Sequence, residues 1–253
     1  MILFERAFGG AGRIVVILHG LFGSSQNWAG MGRRLSDVGR IVGLDLRNHG
    51  DSPRGEPHAL AACVEDLHEW CASRAEGPVT LIGHSMGGLV AMGFAVRHPG
   101  LTAGVASIDI APRPYQPGHE REYRALRTDI TGCRSRADLD ALLAPILPEA
   151  RERQFMLTNA VRDGEGFRWR LDPGVLEGNT VAADWATVTG RFDGPALLVA
   201  GGRSPYVGPG DAERARGFFP RLRVEILLEA DHWPHVTDGA SLERILRAFI
   251  ATQ

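Results

Sequence analysis

The sequence contains no lysine; all 28 fixed positive side chains are arginine. A lysine Schiff base is therefore unavailable, and so is the lysine of a phosphate-binding P-loop. Pyridoxal-type catalysis and P-loop nucleotide hydrolysis are both excluded. Cysteine is scarce. Cys63, Cys71 and Cys133 are odd in number and show neither C-x-x-C nor metal-ligand spacing. They read as buried or incidental thiols, which fits a reducing, cytoplasmic setting. No surplus of either charge exists: 28 basic against 30 acidic residues leave a net −2. Such a chain has no basic excess to grip a phosphate backbone, so nucleic acid is not an expected partner. Long hydrophobic runs are also missing. The apolar run 14–18 is far too short to span a membrane. The opening "MILFERAFGGAGR" lacks the basic start, long apolar core and cleavage site of an export signal. No membrane partner is expected, and a monomer or weak homo-oligomer is.

What is present is apolar and strictly patterned. Hydrophobic residues make up 44% of the chain and charged residues 23%, enough for a large core. "RIVVILHG" (13–20), "RIVGLDL" (40–46), "PVTLIGHS" (78–85) and "LTAGVASIDIAP" (101–112) read as strands buried on both faces. Helical patterns separate them at 27–39, 59–75 and 86–99. Cys63 and Cys71 fall on one face of the second of these. Alternation of strand and helix predicts an α/β fold with a mostly parallel sheet flanked by helices. From 113 to 191 the pattern gives way to polar, Arg-rich helical stretches, with "FRWRLDPG" as a short extended piece. Strands and helices resume with "PALLVAGG" (195–202), "AERARGFF" (212–219), "RVEILLEADHW" (223–233) and "SLERILRAFI" (241–250). We expect one core, 1–112 and 192–253, interrupted by a helical lid of roughly 80 residues, far longer than an ordinary connection.

Gly83-His84-Ser85-Met86-Gly87 stands where the third strand meets its helix. A sharp strand-to-helix turn crowds its flanks, and glycines relieve that crowding. The turn lifts the Ser85 hydroxyl above the sheet, with a helix N-terminus beneath. Nucleophiles on this pattern take a base and an acid later in the chain. His232, just past the last strand, is the candidate base, with His235 as its rival. The acid often lies in a loop beginning "G-G-x-D" after the insertion. Here that loop reads "GGRSPYV", and Ser204 occupies the aspartate's place. Asp109, one strand beyond the serine, is the candidate acid and Asp211 the fallback; Asp231 reads as a local turn residue. An oxyanion hole needs two N–H donors. Met86 supplies one, and Phe22 in "HGLFGSSQNW" is the candidate for the other, its ring flooring an acyl pocket. "DLRNHGDSP" (45–53) reads as a hydrogen-bonded scaffold loop, since adjacent residues cannot converge on one metal ion.

"HGLFGSSQNW", "DLRNHGDSP", "GHSMGG", "SIDIAP", "GGRSPYV" and "DHWPH" together resemble the α/β-hydrolase superfamily. More narrowly, they are similar to small bacterial esterases related to abhydrolase-domain-containing proteins. The resemblance covers nearly the whole chain and is weakest in the lid. It implies a triad of Ser85, Asp109 and His232, because in that group the "GGxSPYV" loop lacks the acid. It also implies cleavage of small carboxylic esters or acyl thioesters without a cofactor or metal. Substrate contacts are expected from Phe22, His84, Trp169 and Tyr206. A histidine base of ordinary pKa, about 6.5, implies activity rising through neutral pH. One departure is "ADHW" where related chains have "AGHW", which puts Asp231 beside the base. The alternatives on this fold are haloperoxidase-like chemistry, carbon–carbon bond cleavage, and an inactive binding protein.

Overall fold

A computed structural model describes residues 1–116 and 118–253. Seven strands form one sheet: β1 (Glu5–Gly9), β2 (Ile14–Leu18), β3 (Arg40–Leu44), β4 (Val79–His84), β5 (Thr102–Ile108), β8 (Ala196–Gly201) and β9 (Leu222–Leu227). The two missing numbers, β6 (Ala160–Asp163) and β7 (Gly166–Trp169), pair as a separate hairpin. The sheet order is β1-β3-β2-β4-β5-β8-β9, and only β1 runs antiparallel to its neighbour.

Side chains on successive strand residues point to opposite faces. Val16, Leu18, Leu81 and Val105 therefore pack on one side, against the helices Leu60–Arg74 and Met86–Arg97. Val15, Ile17, Ile82 and Ile108 pack on the other, under the helices Ala29–Arg34 and Gly239–Ile250. Both faces are covered, which is why these strands read as unbroken apolar runs. Cys63 and Cys71 sit among Leu60, Val64, Leu67 and Trp70 on the buried stripe of their helix. Burial pushes both thiols up to about 12, so they are core side chains rather than nucleophiles.

Between β5 and β8 the chain forms three helices of seven or eight residues, the β6–β7 hairpin and shorter turns. This segment has its own apolar cluster, including Leu126, Leu139, Leu143, Met156 and Phe167. Phe22, from the loop after β2, is buried in that same cluster. No helix among the described residues is long and apolar enough to cross a membrane.

Candidate active site

Parallel strands present their carboxyl ends along one edge, where ligands bind in such folds. Ser85 follows β4, Asp109 follows β5, and His232 lies in the loop after β9. The β4–β5 pairing is parallel and in register up to His84 opposite Ile108. The serine and the aspartate therefore emerge side by side.

Ser85 has φ 51° and ψ −123°, a conformation that costs a non-glycine residue about 1–3 kcal/mol. Its N–H donates to Ile108 O at 3.0 Å, and its carbonyl accepts from Gly88 N and Leu89 N, which opens the helix. The flanking glycines are sterically required. A Cβ on Gly83 would lie 2.1 Å from Gly87 O, and one on Gly87 would lie 2.5 Å from His19 O.

His232 Nε2 is 3.1 Å from Ser85 Oγ, and its Nδ1 is 2.7 Å from Asp109 Oδ2. An Nδ1–H donating to the carboxylate leaves the Nε2 lone pair facing the serine hydroxyl. Asp109 is wholly buried and also has a left-handed φ of 53°. Burying a carboxylate is costly unless its oxygens are paired. Here Oδ1 accepts Gly201 N–H at 2.8 Å. Oδ2 accepts the Ser204 hydroxyl as well as the His232 ring. The loop that lacks an aspartate thus holds the one supplied by β5. Asp211 is engaged elsewhere, with Arg113 Nε at 3.0 Å and Gly208 N at 3.0 Å. His235 makes no hydrogen bond to Ser85 or Asp109; it stacks on Trp28 at 4.4 Å. Burial, then the neighbouring His232, lowers His235 to about 4.

Three expectations need correction. Phe22 N–H is not free for an oxyanion, because it donates to His49 Nε2 at 3.2 Å. His49 directs its Nδ1–H at Arg47 O, 2.9 Å away, which leaves Nε2 as an acceptor. The adjacent Leu21 N–H, like that of Met86, donates to no group among the described residues. Trp169 is not at the cleft. Its indole N–H donates to Thr128 O at 3.0 Å and its ring packs on the insertion's apolar cluster. Tyr206 does not line the cleft either; it stacks on the His232 ring at 3.9 Å and 20°. His84 does line the cleft, and its Nε2–H donates to His232 O at 2.6 Å. Phe22 keeps its role as a cleft wall through its ring.

The cleft beside Ser85 has a cavity volume of about 60 Å³. Leu21, Trp28 and Trp233 line it from the core, and His119, Glu152 and Phe155 from the insertion. Burial, then the neighbouring Glu122, raises the Glu152 carboxyl. The insertion helix Ala150–Leu157 also reaches the base loop, where Arg151 pairs with Asp231. Asp231 has a local task too, accepting Trp233 N–H at 2.8 Å. The scaffold loop 45–53 is as expected: Asp45 accepts Ser25 N–H and Asp51 N–H, and Arg47 pairs with buried Asp66 at 2.6 Å.

The chain matches the model of the Alpha/beta hydrolase family over residues 15–244 and belongs to that family. It is 31% identical over 247 residues to the sn-1-specific diacylglycerol lipase ABHD11 of Mus musculus, covering 94% of this chain and 80% of the relative. It is 31% identical over 239 residues to Esterase YbfF of Escherichia coli (strain K12), covering 93% and 92%. A solved marine microorganism esterase superposes with a TM-score of 0.92 at 30% identity, over 98% of this chain and 99% of that one.

Proposed function

We propose that this chain is a carboxylic ester hydrolase that works through an acyl-enzyme on Ser85. The observation that carries this reading is the unbroken contact from Ser85 Oγ through the His232 ring to Asp109. His232 Nε2 takes the Ser85 proton as Oγ attacks the ester carbonyl carbon. The Met86 and Leu21 N–H groups receive the oxyanion. As the tetrahedral intermediate collapses, His232 returns the proton to the leaving oxygen, or to sulfur in a thioester. Water then repeats both steps on the acyl-enzyme. Asp109 orients the imidazole and stabilises its charged form. Residues 113–191 act as a lid whose His119, Glu152 and Phe155 bound the cleft. An inactive binder has no use for a strained serine in contact with a base.

Hydrolysis of p-nitrophenyl acetate, butyrate and octanoate tests this. The narrow cleft favours the two short esters over the octanoate. Ser85→Ala should lose activity by about 10⁴- to 10⁶-fold, and Asp109→Asn by about 10⁴-fold. A serine-directed fluorophosphonate should label the wild type and not Ser85→Ala. A folded wild type that neither hydrolyses nor labels would leave only the binding-protein reading. A fully active Asp109→Asn would remove Asp109 from the mechanism.

A further inference from the structure

We propose that Ser204 is a positioning residue of the reaction, holding Asp109 in the orientation that serves His232. The inference rests on the serine-hydrolase reading above. The loop after β8 carries no acid, yet it makes three contacts with the acid–base pair. Gly201 N–H donates to Asp109 Oδ1 at 2.8 Å. The Ser204 hydroxyl donates to Oδ2, the same oxygen that accepts His232 Nδ1. Tyr206 lays its ring on the imidazole at 3.9 Å. One short segment therefore holds each carboxylate oxygen and one face of the base.

Chemistry explains why a hydroxyl suits this place. A buried carboxylate with one oxygen on a backbone N–H can still pivot about the bond to its β-carbon. A second donor on Oδ2 fixes that pivot and keeps the oxygen in line with Nδ1. Hydrogen bonds to a charged acceptor are the strong ones. The loop itself is held in place by Tyr115, whose hydroxyl donates to Tyr206 O at 2.7 Å. Ser204 Oγ in turn accepts Tyr206 N–H at 3.3 Å, so its own proton is directed at Asp109.

Ser204→Ala removes the donor and little volume, and Ser204→Thr keeps the hydroxyl. The expected result is a fall in kcat of about tenfold in Ser204→Ala with KM unchanged, the scale of one charge-assisted hydrogen bond. Ser204→Thr should recover most of it. A second readout does not need turnover: the His232 Nδ1–H proton resonance should move in Ser204→Ala and return in Ser204→Thr. Wild-type kcat and an unmoved resonance in Ser204→Ala would overturn the proposal. So would a loss that the threonine does not restore while thermal melts show it folded. A rise in KM alone would make Ser204 a substrate contact and overturn it too. If the wild type neither turns over nor labels, the esterase reading fails, and the resonance still decides whether Ser204 orders the Asp109–His232 pair.

Discussion

Residues at this site are sorted by what they touch rather than by how suggestive they look in sequence. Trp169 is the clearest case. A tryptophan in an insertion over the strand ends invites a substrate role, but its N–H is committed to Thr128 O. Trp169→Phe should therefore leave KM for p-nitrophenyl butyrate unchanged. It should lower stability by about 1 kcal/mol, read from urea unfolding, as one internal hydrogen bond is lost. A large KM change would return Trp169 to the cleft. Ser85, Asp109 and His232 are legible because each sits at a strand end whose apolar run is plain. The choice between Leu21 and Phe22 is not legible. It turns on where His49 points, 27 positions along the chain. Ser204 is half-legible: its loop shows a missing acid, but not that the hydroxyl would be turned on another strand's carboxylate.

Elements follow the same logic. Buried parallel strands such as "IVVIL" and "ALLVAG" announce themselves because both faces are covered. β1 is hidden, since "ERAFG" is an edge strand with polar residues and a bulge between Ala7 and Gly9. The β6–β7 hairpin is hidden by its charged flanks, although Gly164 supplies the left-handed turn residue. The link between the helix Ala150–Leu157 and the base loop separates two contributions at Asp231. The pair with Arg151 is largely exposed, and exposed pairs contribute little. Arg151→Gln should change stability by less than about 1 kcal/mol. Asp231→Ala should cost more, because it also frees the Trp233 N–H beside His232. Denaturant titration of both variants distinguishes the two; equal losses would make the ion pair the main contributor.

Across the whole molecule, the sheet's functional edge is built on neutral histidines. Burial lowers His19, His49 and His84. Burial, then Arg47, lowers His58 to about 4. The unfolded chain titrates near 6.5 and so binds protons that the fold refuses. Stability contributed by these groups is complete above about pH 6.5 and is lost as the pH falls toward 4. His58 alone should cost about 2 kcal/mol by pH 5. Thermal melts at pH 7.5 and pH 5 should show a clear drop in Tm, and a flat response would mean these rings are not held neutral.

The same edge gathers the non-glycine residues with left-handed backbone: Phe22, Asn48, Ser85, Asp109 and His119. Each pays a conformational cost that a glycine would avoid. Ser85 and Asp109 lie at the centre of the proposed chemistry, so durability and catalysis pull in opposite directions there. A lineage selected only for endurance would drift toward glycine at these positions first. It would keep the sheet and the helices and surrender the reaction, ending as a sturdier relative with an empty elbow.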